Sequence, residues 1–177
     1  PRLLVRGEND RFADMVLDRT GNRLICVRER HLENDVQNAL VSVALCSGVV
    51  TVLDGQHDFV SNPRVSPDGR RLAWVSWDLP DMPWDSATLW VADLEARGSL
   101  GKAEHVAGGA GDSVFQPEWH PDGRLVFAWD PSGWWNLHAW DGAETEVLFD
   151  HDVEFGLPQW VFGMRTFDIL PSGVIVC

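Results

Sequence analysis

The sequence is poor in features that mark most enzymes and nucleic-acid partners. Lys102 is its only lysine, and the formal net charge is −13. Affinity for nucleic acid rests on Lys and Arg neutralising phosphate, so that class of partner is disfavoured. Anionic membrane surfaces are disfavoured for the same reason. The three cysteines, Cys26, Cys46 and Cys177, form no CxxC pair and no metal-ligand spacing. Scattered and apolar-flanked, they read as reduced thiols, and the expected compartment is the cytoplasm. The longest apolar run, Ala39 to Leu53, is broken at Ser47-Gly48 and is too short to span a bilayer. No segment carries a helical period. There is no GxSxG elbow and no P-loop. Ser99-Leu100-Gly101-Lys102 matches SxxK by letter, but it sits in a glycine turn without companion motifs, and chance explains it. No catalytic residue, metal ligand or cofactor is expected.

What the chain does contain is one sentence written four times. Ser66-Pro67-Asp68-Gly69 leads into Arg70-Arg71-Leu72-Ala73-Trp74-Val75-Ser76-Trp77. Asp18-Arg19-Thr20-Gly21, His120-Pro121-Asp122-Gly123 and Leu170-Pro171-Ser172-Gly173 lead into comparable apolar strands. Proline presets φ for a tight turn, Asp bonds its own backbone, and Gly accepts positive φ. The turn glycines are 48, 54 and 50 residues apart. Such a period, with several short strands in each unit, is the signature of a β-propeller. The fold class is therefore all-β: a partial β-propeller of about three four-stranded antiparallel blades plus the start of a fourth. Residues 1–177 form one partial propeller domain, with blades at roughly 11–60, 61–113, 114–163 and 164–177. Closure needs at least about four blades, so the chain is expected to be a piece of a longer protein. Open blade edges then make self-association an expected property.

Within the units, the inner strands are expected at Met15–Leu17, Pro63–Ser66 and Pro117–His120, and Arg30–Asn38 is expected as a polar loop. Ala96–Gly101 is expected as a turn. Ten tryptophans are present. Trp74, Trp77, Trp90, Trp119, Trp129 and Trp140 fall in strands, where large flat side chains fill the gap between blades. Trp84, Trp134 and Trp135 fall in loops and are better placed to meet a ligand or another domain. His57-Asp58 and His151-Asp152 mark crossings between units and read as solvated loop residues, with no metal spacing beside them. Arg28-Glu29-Arg30 ends a strand. It reads either as a solvated charge run or as a cluster able to hold a peptide terminus by ion pairing.

Several runs are more specific than these turns. Pro80-Asp81-Met82-Pro83-Trp84-Asp85, Ser132-Gly133-Trp134-Trp135-Asn136-Leu137 and Glu154-Phe155-Gly156-Leu157-Pro158-Gln159-Trp160-Val161-Phe162-Gly163 follow in order, with Gln116-Pro117-Glu118-Trp119 between them. Together they resemble the propeller of bacterial acylaminoacyl-peptidase-like enzymes of the prolyl oligopeptidase family. The resemblance covers nearly the whole chain. It implies a serine peptidase for short peptides, in which a C-terminal α/β-hydrolase domain carries the Ser-Asp-His triad and the propeller restricts access. This chain would then hold no triad residue and be inert alone. By position, Arg28 and Glu29 would anchor the substrate's N-terminal end, and Trp84 and Phe155 would line the chamber. The chain departs from relatives at Leu79, His138 and Phe167, and it has no tyrosine. The alternatives are a free-standing TolB-like protein-binding propeller and a glycan-binding propeller.

Overall fold

A computed structural model describes residues 2–95 and 98–177. Ala96 and Arg97, in the turn expected at 96–101, lie outside the described residues. Three four-stranded antiparallel meanders follow one another. They are β1 (Asp10–Asp18), β2 (Arg23–His31), β3 (Val36–Ala44) and β4 (Val50–Asp54); β5 (Phe59–Val65), β6 (Arg71–Trp77), β7 (Thr88–Asp93) and β8 (Glu104–Gly108); and β9 (Val114–Trp119), β10 (Leu125–Trp129), β11 (Asn136–Trp140) and β12 (Thr145–Phe149). A two-stranded sheet, β13 (Asp168–Ile169) and β14 (Ile175–Val176), begins a fourth unit. The chain is all-β and forms a partial propeller, each meander being one blade.

Blades bury both faces, so strand alternation sends successive residues to different neighbours. In β6, Leu72 and Trp74 join a cluster with Ile25, Val27 and Leu40 of the first blade. Ala73 and Val75 face the other way, into a cluster with Leu125, Phe127 and Trp140 of the third. Val126 and Ala128 then meet Phe167, just before β13. The strand tryptophans behave as expected: Trp74 and Trp140 are buried, and Trp77, Trp119 and Trp129 pack on the same clusters half-buried.

The repeated turns are built by their own side chains. Ser66 Oγ donates to Asp68 Oδ1 at 2.7 Å and accepts the Arg71 N–H at 2.9 Å, while Gly69 takes φ 73°. In the first unit the left-handed position falls on Asn22 (φ 48°) rather than on Gly21. There Asp18 accepts from the Gly21 N–H, the Thr20 hydroxyl and Arg23 Nε at 3.0, 2.7 and 2.7 Å. Each turn also reaches the next blade's. Arg71 Nη2 donates to the Gly123 carbonyl at 3.1 Å, and His120 Nε2 to that of Gly173 at 2.8 Å.

Asp18 is fully buried. Burial pushes its carboxyl up, but the Gly21, Thr20 and Arg23 donors outweigh it and hold the group below its usual range. A depressed carboxyl contributes stability above its unfolded pKa of about 3.9 and loses it as pH falls through the folded value. The urea midpoint should therefore decline below about pH 4, and Asp18→Asn should flatten that decline.

One repeated element is absent from the turn pattern. The inner strand of each four-stranded blade carries a bulge, at Ala13/Val16, Ser61/Arg64 and the β9 residues opposite Val126/Ala128. Asp14, Asn62 and Gln116 sit there with φ of 50°, 52° and 49°. Left-handed backbone at non-glycine residues is held only by surrounding contacts. Here the side chains reach between units. Asp14 Oδ2 accepts the Asn62 N–H at 2.5 Å, and Gln116 Oε1 accepts the Thr166 N–H at 2.7 Å. The inner strands also start earlier than expected: β1, β5 and β9 begin before Met15, Pro63 and Pro117. Arg30, His31 and Val36–Asn38 are strand residues rather than a polar loop.

Candidate functional site

The meander order puts inter-blade crossings and second-to-third-strand loops at the same end of every blade. The Pro-Asp-Gly turns lie at the other end. All three specific sequence runs therefore arrive at the crossing end, and the structure shows how they interlock.

Trp135 is the hub. It is buried at 8% exposure and stacks on Phe115 with centroids 5.8 Å apart. This corrects the expectation of a surface role for Trp135; of its pair, only Trp134 stays exposed. The Trp135 N–H donates to Glu154 Oε2 at 3.0 Å, and its carbonyl accepts the Phe155 N–H at 2.7 Å. Asn136 Nδ2 donates to the His151 carbonyl at 2.9 Å, and its Oδ1 accepts the His151 N–H at 3.0 Å. Gly156 lies flat against the Trp135 indole. The segment from His151 to Gly156 is thus clamped to the Gly133–Leu137 run.

The Met82-Pro83-Trp84-Asp85 loop is pinned separately. The Ser113 hydroxyl donates to the Pro83 carbonyl, and the Ser86 hydroxyl donates to that of Gly109 at 2.6 Å. Trp84 then meets Trp160 with ring centroids 4.4 Å apart. Trp160 is 72% exposed and Val161 65%. Exposure of large apolar groups side by side is unusual on a free surface and marks a contact site. Asn62 Nδ2 holds this segment by donating to Gln159 Oε1 at 2.8 Å.

A cavity of about 310 Å³ opens beside these residues, lined by Glu29, Phe59, Trp77, Trp160, Val161 and Phe162 among others. Phe59 and Trp77 stack with centroids 5.3 Å apart, forming one wall. Glu29 supplies the carboxylate and also touches the His31 imidazole. An apolar cleft with one charged group at its rim suits a small ligand carrying a cation and a hydrophobic body.

The four sequence-selected residues are distributed unequally. Glu29 and Trp84 are brought into one neighbourhood by Trp160, which lines the Glu29 cavity and touches Trp84. Phe155 packs with Trp84 on the cluster around Trp135 and lies edge-on to Phe149 at 5.4 Å. Arg28 points away from Glu29, as neighbours on a strand must, and lines a different cavity. Trp160 and Phe162 were not singled out by sequence, their only signal being membership of the Glu154–Gly163 run, and Trp77 was expected only as a filler between blades, not as a wall of the cleft. His57 is not freely solvated, because Nδ1 pairs with Asp78 Oδ2 at 2.9 Å.

Nearer the inner strands, charges alternate from unit to unit. Arg64 pairs with Glu118 at 3.1 Å and approaches Asp14 at 3.9 Å. Arg165 pairs with Glu118 at 3.4 Å and with Asp168 at 2.9 Å. Burial pushes the Asp14 carboxyl up, against the opposing pull of the Asn62 N–H and Arg64. Burial also pushes the Cys26 thiol up to about 11, so it is protonated and unreactive at neutral pH. No cluster of three or more His, Cys, Asp or Glu able to hold a metal occurs among the described residues.

No family model matches the chain. A solved puromycin hydrolase is 37% identical across 96% of this chain and 27% of its own, with a TM-score of 0.87. A puromycin-hydrolyzing peptidase from Mycobacterium tuberculosis is 30% identical across 94% of this chain and 28% of its own, with a TM-score of 0.85. Dipeptidyl-peptidase 5 of Porphyromonas gingivalis is 30% identical over 76 residues, which is 43% of this chain and 10% of that protein. The chain spans about a quarter of the length of the two solved structures. By sequence and by fold, it is homologous to one propeller-forming stretch of larger peptidases.

Proposed function

We propose that this chain is the substrate-facing propeller portion of a larger serine peptidase that cleaves short peptides, with catalysis supplied by an α/β-hydrolase domain. The observation that carries this reading is 37% identity to a puromycin hydrolase over 96% of the chain, within structures nearly four times as long. The reading is consistent with a fold that offers an aromatic cleft but no nucleophile elbow. In it, the crossing end faces the catalytic domain. Glu29 pairs with the free amino group of the substrate, while Trp84, extended by Trp160, and Phe155 wall the chamber. Arg28 supplies a positive charge on the opposite face of the same strand. The compartment is the cytoplasm.

The test compares this 177-residue chain with the longer reading frame that contains it, on puromycin and on aminoacyl p-nitroanilides. The longer protein should turn over and be silenced by an organophosphonate that reacts with active-site serine. This chain alone should show no turnover. Turnover by this chain, or a longer frame that resists the phosphonate, would refute the reading. In the active protein, Glu29→Gln should raise KM about tenfold for substrates with a free amino group, with kcat unchanged, and should leave N-acetylated substrates unaffected.

A further inference from the structure

We infer that the cavity around Arg28 binds a small zwitterion, an amino acid or short peptide, whose carboxylate is held by the Arg28 guanidinium. This site is separate from the Glu29 cleft and rests on the geometry of β2, not on the peptidase reading. Three arginines lie on that strand. Arg23 pairs with Asp18 and Arg30 with Asp10, each at 2.7 Å. Arg28 lies between them, only 9% exposed, and its buried Nε meets no acceptor among the described residues. Asp10 feels the Arg28 charge from a distance, but a buried Nε–H with no acceptor is unfavourable.

The cavity that Arg28 lines measures about 460 Å³, enough for an amino acid or dipeptide. Its other walls include Asp35, Gln37, Asn38, Gln56 and Asp58. Asp35 Oδ1 accepts the Val36 N–H at 2.9 Å, and Asp58 Oδ2 accepts the Leu79 N–H at 3.0 Å. These bonds fix the two carboxylates in place without neutralising them. A dianion such as phosphate would meet their repulsion. A ligand with a carboxylate at one end and an ammonium at the other meets an opposite charge at both. The planar fork of arginine matches a carboxylate in bidentate fashion.

The test follows the arginine ¹⁵Nε–H resonances by NMR while the chain is titrated with L-alanyl-L-alanine, its C-terminal amide, and inorganic phosphate. The resonance missing in Arg28→Lys should shift saturably with the dipeptide. The amide and phosphate should bind at least tenfold more weakly. Arg28→Met, which replaces a buried charge with an apolar chain of similar length, should keep the fold and lose binding. A response to the amide equal to that of the free dipeptide overturns the site. So does tighter binding of phosphate, or an Arg28 resonance unmoved by every ligand. No turnover is read, so failure here leaves the peptidase reading standing, and failure of the peptidase assay leaves this site standing.

Discussion

Trp74→Ala is expected to lower the stability of the chain by about 3–5 kcal/mol, the range for truncating a buried aromatic residue. Trp74 is 2% exposed and sits mid-strand in β6. Its indole fills the space between the first two blades, against the cluster that includes Ile25, Val27 and Leu40. Its Nε1–H donates to Asp54 Oδ2 at 2.9 Å across that interface. Asp54 is itself 8% exposed and, among the described residues, would keep only the Gln56 N–H, at 3.1 Å, as a donor to its side chain. The loss therefore combines a cavity with an under-bonded buried carboxylate. Trp74→Phe separates the two effects, because it keeps most of the volume and removes the donor. Its expected cost is about 1–2 kcal/mol. Urea unfolding of the three proteins gives both numbers. A loss below about 1 kcal/mol for Trp74→Ala would show that the blades are not coupled through this side chain.

Gly156→Ala is expected to destabilise by about 1–3 kcal/mol, the usual cost of overpacking, and to disorganise the candidate site more than the core. A Cβ at residue 156 would overlap the six-membered ring of Trp135. The indole cannot retreat easily, since it is stacked on Phe115. Either it leaves its stack, or the segment from Glu154 to Phe155 lifts away and loses its two bonds to the Trp135 backbone. Both responses move the chain that leads to Trp160. Near-ultraviolet circular dichroism should therefore change in the tryptophan region, while far-ultraviolet spectra keep the sheet signal. On the proposed peptidase reading, KM for short peptides should also rise in a longer protein that contains this chain. A variant with wild-type stability and an unchanged aromatic spectrum would show that the Gly156 contact is dispensable.

The two substitutions differ in how visible their reasons were beforehand. Trp74 could be placed from sequence, because it follows a repeated turn at a fixed offset and strand alternation then dictates that it is buried. Gly156 could not, because its constraint comes from Trp135 in the loop between β10 and β11, which the returning chain meets only in the folded blade. Trp135 illustrates the same limit. A loop tryptophan next to another tryptophan looks like surface, and only the returning segment from His151 to Gly156 covers it. The inner-strand bulges were missed for a related reason. Asp14, Asn62 and Gln116 share no residue type, and what they share is a left-handed backbone stabilised by bonds between blades.

Local chemistry thus determined the repeat, the turns, the four-stranded units and the inter-blade role of the strand tryptophans. Each depends on spacing and backbone preference along a few neighbouring residues. The tertiary structure decided which loops meet. It brought the Met82–Asp85, Gly133–Leu137 and Glu154–Gly163 runs together at one end, exposed Trp160 and buried Trp135. Those outcomes depend on contacts between residues far apart in the chain, where the fixed geometry of packed blades, not local preference, sets what lies beside what.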